Sequence, residues 1–525
     1  MTRIAPARIK AVFVGNVASS MGARVLYLGT RLMLPALILQ HVTLAEFGIW
    51  AICFVLIGNI GMSAFGLASA YVKDTSECLA SGDMERLSRT FSTGLTLVGI
   101  AAALFLPLFW LALPSIISVF HIDAALAGTA RTLIFGTVTV FMLDLSLGSF
   151  VYLLQGMQRI RLENAVWVTA FMLESALIVV FMTQGFGIES LLAAFAVRYL
   201  FSSTAYFLLA RRLVPGLRIH PRLFNRRSLR LFAGFGLVVQ FSGMLSMLNR
   251  SIERLLAGIL IGVEATAVFE IGEKFPTTVP SIPSAINAAS FPTFAYLHAQ
   301  NRRPEIAALY LSSARYVCLL AGAAMGFLAA FAPTLLAAWL GPDHVPQGAA
   351  FILVLFTLPY HLDVLTGPGS AMFKGTGQPR RELVYPLLQL ALIALILPPL
   401  LLSGMDTLHA IAWGVAAGMC ASALCYIAYA TFALGIPLQR YGTEVLLPGL
   451  VPYAVGLATA FALHAAAGVV PVTRLGHLGA LLSGGALYGL ACLACFGLLL
   501  MNAAERRHVA TFAATSLAFV RGKLA

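Results

Sequence analysis

Apolar runs separated by short polar or basic segments fill most of the chain. Fourteen of them are long enough to cross about 30 Å of hydrocarbon as helices. They cover residues 11–39, 44–72, 92–119, 126–154, 164–183, 188–210, 232–261, 265–295, 309–340, 346–373, 383–402, 408–434, 444–467 and 478–502. The pattern predicts an all-α polytopic membrane protein with 14 transmembrane helices. The opening run is too long, and too interrupted by arginine, for a secretory leader, so it is read as the first span.

Only 10% of the 525 residues are charged and 60% are hydrophobic, whereas a soluble domain carries about 25% charged residues. A net charge of +13 raises the question of a nucleic-acid partner. Its placement argues against one, because the basic residues fall in alternate loops. With the N-terminus inside, twenty-five of the 34 Lys and Arg lie in inside segments, seven of them between Arg211 and Arg230, and Arg474 stands alone outside. The asymmetry predicts cytoplasmic N- and C-termini.

The loops are too short to hide a soluble domain, and the longest is the basic stretch Arg211 to Leu231. No phosphate-binding G-x-x-x-x-G-K-[ST] loop is present, and Lys374-Gly375-Thr376 lacks the preceding glycine, so ATP hydrolysis is not expected. A membrane-embedded polymerase or ligase would need a sizeable outside loop for its catalytic groups. No enzymatic activity and no cofactor are therefore expected. Cys492 and Cys495 form a C-x-x-C spacing inside a wholly apolar span, where cysteine behaves as a small hydrophobe. The ten histidines show no metal-ligand spacing.

A weak internal repeat appears at an offset of about 220 residues, as in transporters built from duplicated halves. Leu44-Ala-Glu-Phe-Gly-Ile-Trp50 resembles Glu264-Ala-Thr-Ala-Val-Phe269. Pro107, Trp110 and Pro114 in one half are matched by Pro333 and Trp339 in the other. The predicted organisation is an N-terminal lobe at 1–210, a basic linker at 211–231 and a second six-helix lobe at 232–435. Two added helices follow at 436–503, then a tail at 504–525. Prolines 276, 280, 283 and 292 in span eight are candidate hinges, since each removes a helical hydrogen bond.

Charges within the spans carry the candidate chemistry. Arg24 and Arg31 are seven residues apart, nearly two helical turns, and share a face of span one. Guanidinium stays protonated at bilayer depth and costs at least about 2.5–3.5 kcal/mol there, so the pair must face protein or water. With Arg198, Arg250 and Arg254 these are the candidate anion-binding residues. Internal neutralisation is the alternative, because the spans also hold Asp144, Glu174, Glu253, Glu270, Glu273 and Asp363. Glu270 and Lys274 have the i,i+4 spacing of an intrahelical pair. Asp144, Glu174 and Asp363 have no basic neighbour within a turn. Together with Glu253 they are candidates for proton or cation coupling, or are protonated acids bonded to a carbonyl or hydroxyl.

Three segments, in order, resemble polysaccharide flippases of the multidrug/oligosaccharidyl-lipid/polysaccharide (MOP) exporter superfamily, a likeness spanning most of residues 11–435. They are Ala18-Ser-Ser-Met-Gly-Ala-Arg24-Val-Leu, Glu46-Phe-Gly-Ile-Trp50, and Asn249-Arg-Ser-Ile-Glu253-Arg254-Leu-Leu continuing through Phe269-Glu-Ile-Gly-Glu-Lys274-Phe to Ala289-Ser-Phe-Pro292. The resemblance implies two MATE-like six-helix lobes around a cavity that opens to either side in turn. It also implies an undecaprenyl-diphosphate-linked oligosaccharide as substrate and polysaccharide polymerase or export machinery as partner. In relatives that flip the peptidoglycan precursor, arginines of the first helix face the cavity, and Arg24 and Arg31 take that place by similarity. The chain departs from the family in having Glu253 where many relatives have aspartate. A cation-coupled multidrug antiporter of the same fold is the rival, and it should have an acidic cavity.

Overall fold

A computed structural model describes residues 26, 29–62, 65–157, 159–226, 228, 245, 247–281, 283–467 and 473–501. Arg24 lies outside them. All regular elements among the described residues are helical: α1 (Gly29–Ile38), α2 (Leu44–Met62), α3 (Phe65–Ser81), α4 (Met84–Val119), α5 (Ala127–Leu147), α6 (Phe150–Gly156), α7 (Ile160–Thr183), α8 (Glu189–Leu213) and α9 (247–260). There follow α10 (Val263–Gly272), α11 (Lys274–Thr278), α12 (Ser284–Ala299), α13 (Arg303–Leu340), α14 (Ala349–Leu365) and α15 (Gly367–Gly375). The chain continues through α16 (Val384–Leu402), α17 (Thr407–Ala433), α18 (Leu438–Tyr441), α19 (Leu447–Ala467) and α20 (Arg474–Cys495).

Eleven helices among the described residues are long and apolar enough to cross a membrane, against the fourteen expected. The difference has three sources. Span one is described only from Leu26 onward and span seven only in its second half, while span eight is broken. Pro276, Pro280 and Pro283 divide that segment into α10, α11, a 3-10 turn at Val279–Ser281 and α12, because each proline lacks the donor a continuous helix needs. Leu104, Leu108 and Leu111 on α4 and Leu482, Leu490 and Leu493 on α20 are exposed, an apolar exterior suited to hydrocarbon. The protein is a multi-pass membrane protein.

The repeat is visible in the elements themselves. α4 and α13 begin 219 residues apart, at Met84 and Arg303, and run for 36 and 38 residues. At 1.5 Å per residue each is about 54–57 Å long, well beyond the hydrocarbon thickness. Pro114 and Pro333 sit at matching positions, and the backbone of α13 leaves helical geometry at Phe331.

The chain forms two compact units. The first comprises Met1–Gly272, Pro346–Ala349 and Gln389–Val415, and the second Glu273–Val345, Ala350–Leu388 and Ala416–Ala525. In the first, Thr43 and Glu46 cap α2 reciprocally: Thr43 N–H donates to Glu46 Oε2 at 2.8 Å and Glu46 N–H to Thr43 Oγ1 at 3.3 Å. α2 then packs so closely on α10 that a Cβ on Gly48 would lie 2.0 Å from the Val263 carbonyl oxygen. Thus the two segments that resemble each other in sequence meet in space. A core of Tyr71, Phe91, Phe150, Leu153, Leu154 and Tyr206 joins α3, α4, α6 and α8.

In the second unit, Gly322 and Gly326 give α13 a G-x-x-x-G face on which α19 lies. A Cβ on Gly322 would meet the Gly449 carbonyl oxygen at 2.1 Å, and one on Gly326 the Pro452 carbonyl carbon at 2.8 Å. Tyr488 of α20 donates to the Ala323 carbonyl at 2.6 Å. Buried His361 of α14 contacts the Cys318 carbonyl at 3.0 Å through Nε2 and Tyr453 Oη at 3.2 Å through Nδ1, tying α13, α14 and α19 together.

Candidate functional site

A cavity of about 620 Å³ lies within the first unit, among α1, α2, α5, α6, α7, α8 and α9. Its size falls in the range of small-molecule sites, about 300–1,000 Å³. Of the five candidate arginines, Arg31 and Arg198 line it, and of the four candidate acids, Asp144 does.

Phe171 of α7 is the point where the two cations meet. The guanidinium carbon of Arg31 is 5.3 Å from its ring centroid and that of Arg198 is 4.6 Å away. Arg31 is also 5.3 Å from the Phe54 ring, and Arg198 lies 4.1 Å from Tyr199 and 4.9 Å from Phe195. Aromatic faces attract guanidinium through their quadrupoles while keeping water away. The arrangement therefore fixes two positive charges in an apolar setting.

Arg198 is not a lone cation. Its Nη1 donates to Glu174 Oε2 at 3.1 Å, and both side chains are buried. Glu174 is thus half of an ion pair between α7 and α8. The two residues stand twelve positions on either side of Phe186 in the hairpin turn, the equidistance that antiparallel neighbours require. That relation was present in the sequence and gives the pairing its signal.

Asp144 of α5 accepts from Ser203 Oγ of α8 at 2.8 Å. A second carboxylate shares the cavity wall: Glu163, near the start of α7, accepts from Gln155 Nε2 of α6 at 2.7 Å. The sequence reading missed Glu163 because its apolar window began one residue later. The signal was helical spacing, since Glu163, Trp167, Phe171 and Glu174 fall on one stripe of α7. The wall therefore combines two cations and two carboxylates with aromatic surface from Tyr152, Trp167 and Tyr206.

The other candidates lie elsewhere. Arg250 is exposed on α9. Arg254 donates through Nη1 to Glu270 Oε2 at 2.7 Å, and its Nε is 3.5 Å from Glu253 Oε1. These residues do not line the cavity. Glu270 reaches Arg254 across the turn at Gly262, and α10 ends at Gly272, two residues before α11 begins at Lys274. Asp363, in the second unit, accepts from Tyr385 Oη at 2.6 Å. Nearby, Lys374 Nζ of α15 lies 2.7 Å from Glu382 Oε1. Among the described residues no group of three or more His, Cys, Asp or Glu is arranged to hold a metal ion.

Residues 41–346 match the family described as polysaccharide biosynthesis protein. No curated protein matches the chain in sequence. Among solved structures, the chain is similar to the lipid II flippase MurJ in an inward closed conformation, with a TM-score of 0.67, 13% identity, and 92% of this chain and 98% of that one covered. It is also similar to an inward-facing multidrug resistance MATE family transporter of the MOP superfamily, with a TM-score of 0.65, 17% identity, and 77% and 94% covered. A third is a MOP superfamily transporter from Pyrococcus furiosus, whose reversed binding-pocket polarity suggests a different function (TM-score 0.52, 16% identity, 79% and 95% covered). The chain belongs to the polysaccharide biosynthesis protein family and has the MATE- and MurJ-like fold of the MOP superfamily.

Proposed function

We propose that this protein flips an undecaprenyl-diphosphate-linked oligosaccharide from the cytoplasmic to the outer leaflet of the bacterial inner membrane by alternating access, supplying surface polysaccharide assembly. The carrying observation is the convergence of Arg31 and Arg198 on Phe171 inside one cavity. A diphosphate keeps its negative charge during transfer, and a guanidinium fork can bind two of its oxygens at once. Arg31 brings its positive charge to the same cavity. Arg198, already bonded to Glu174, supplies remaining donors of its fork and orients the ring between them. The amphipathic faces of Tyr152, Trp167 and Tyr206 suit the first sugars, while the prenyl chain stays in lipid.

In this reading both termini are cytoplasmic, Arg24 joins Arg31 at the headgroup, and a polymerase or export complex receives the product. Asp144 is the coupling candidate that itself lines the cavity; Glu174 is paired with Arg198 of the cavity wall, Glu253 lies beside Arg254, and Asp363 accepts from Tyr385. The test is export of surface polysaccharide in cells carrying Arg31→Ala. We expect export to fail with membrane abundance of the protein unchanged, and normal export would contradict the assignment.

The carboxylates Asp144 and Glu163 in the same cavity favour one alternative, a cation-coupled antiporter for small cationic molecules. In that case Asp144→Asn and Glu163→Gln would abolish drug resistance or drug efflux, and Arg31→Ala would leave it intact.

A further inference from the structure

The linker after α8 carries a feature that the cavity does not use. Its backbone is stitched to the first turns of α4: Arg218 N–H donates to Ser88 Oγ at 3.0 Å, His220 N–H to Ser92 Oγ at 3.2 Å and Asn225 N–H to Thr93 Oγ1 at 2.9 Å. The three accepting residues are buried. A basic segment that served only to set membrane orientation would need charge and no fixed shape. Here the backbone is held while the side chains of Arg211, Arg212, Arg218, Arg222 and Arg226 are exposed, and residues 211–231 include no acid.

Two large apolar side chains, Ile219 and Phe224, are 38% and 41% exposed among those arginines. Arginine interleaved with exposed apolar residues is the composition of segments that lie in a headgroup layer. The length of α4 puts the strap at that depth. If residues 92–119 cross the hydrocarbon, Met84 to Phe91 extend about 12 Å beyond it, and the strap is tied to those turns and the one that follows.

We propose that residues 211–226 form a membrane-surface strap that binds anionic lipid headgroups, with the arginines pairing with phosphate and Ile219 and Phe224 inserted at the interface. Each arginine near an anionic leaflet contributes about 1 kcal/mol, a factor of about five in occupancy, and the effect fades within a Debye length.

The test uses the full chain in nanodiscs of phosphatidylcholine alone or of phosphatidylcholine with phosphatidylglycerol. Trypsin cleavage after Arg218 and Arg222 is measured relative to cleavage after Arg440, a basic site outside the strap. Phosphatidylglycerol should slow relative cleavage by about tenfold, and about 1 M salt should erase the difference. The double variant Ile219→Ser, Phe224→Ser keeps every arginine and should lose most of the protection. Equal cleavage in both lipids would overturn the proposal. So would equal protection by inorganic phosphate in phosphatidylcholine discs, which would point to a soluble phosphate, or full protection in the double variant.

Discussion

Asp144, Gly148, Gly156, Arg161 and Glu163 recur 219 residues later as Asp363, Gly367, Gly375, Arg380 and Glu382. Each set shapes the passage from one membrane helix through a short helix into the next, and most of the contacts recur with it. A Cβ on Gly156 would meet Thr75 at 2.6 Å, and one on Gly375 would meet Phe294 at 2.6 Å; Thr75 and Phe294 are also 219 apart. Each aspartate accepts a hydroxyl hydrogen, from Ser203 in one corner and Tyr385 in the other. Each glutamate is held at 2.7 Å by the residue eight positions before it, and there the corners part. Gln155 offers Glu163 a neutral amide, whereas Lys374 offers Glu382 a full positive charge. What the backbone needs is kept in both halves, and the charge is changed in the half whose glutamate faces the cavity.

Breaking the shared part should have the largest effect. Gly375→Leu would drive a side chain into Phe294 and the Ala295 amide, and Gly156→Leu into Thr75 and the Val72 carbonyl. Extra methylenes cost about 1–3 kcal/mol even where neighbouring side chains can give way, and here a whole side chain meets backbone that cannot move aside, so the fold itself should fail. Both variants should show a strong loss of monodisperse protein in detergent by size-exclusion chromatography. Tolerance of leucine at either site would mean that the corners are not tightly built.

Next in size is the ion pair of Arg198 with Glu174, which the repeat does not reproduce; the positions 219 residues on are Ala417 and Ile393. Arg198→Ala leaves a buried carboxylate unpaired, a cost of about 3–5 kcal/mol. Arg198→Met with Glu174→Leu removes both charges and should restore much of the melting temperature without restoring transport. Equal destabilisation by single and double variants would show that the pair is not what Arg198 provides to the fold.

The smallest structural changes sharpen the comparison most. Gln155→Lys would recreate the second corner's ion pair beside the cavity and cancel the charge of Glu163. It should lower transport while leaving the melting temperature nearly unchanged. Lys374→Gln removes a partly exposed pair worth about 0–1 kcal/mol and should leave transport close to normal. Identical transport by the two variants would deny any special role to the corner at the cavity.

How legible all this was in the sequence depends on the range of the interaction. Apolar periodicity located the spans whose helices run unbroken, and the offset of about 220 is reproduced by the starts of α4 and α13. In span eight the clustered prolines were legible as candidate hinges, and the helix is interrupted at Pro276, Pro280 and Pro283. Arg31, Arg198 and Asp144 were recognisable as costly intramembrane charges. Their partners were not, because Glu174 and Arg198 meet through a hairpin rather than a helical turn, as do Arg254 and Glu270 about Gly262. Counting residues outward from each turn would have paired both. Glu163 escaped because a hydropathy window discards the charged residue that begins a helix.

In the proposed function Arg31 grips the diphosphate of a lipid-linked sugar. The most direct test is flipping of a fluorescent undecaprenyl-diphosphate-linked oligosaccharide by purified protein in liposomes, comparing wild type, Arg31→Lys and Arg31→Ala. Loss of one charge-assisted contact, about 1.5–3 kcal/mol, should slow Arg31→Ala by about ten- to a hundredfold. Arg31→Lys should fall between, because lysine keeps the charge and loses the bidentate fork. Wild-type flipping by Arg31→Ala, in protein that elutes and melts normally, would contradict the account.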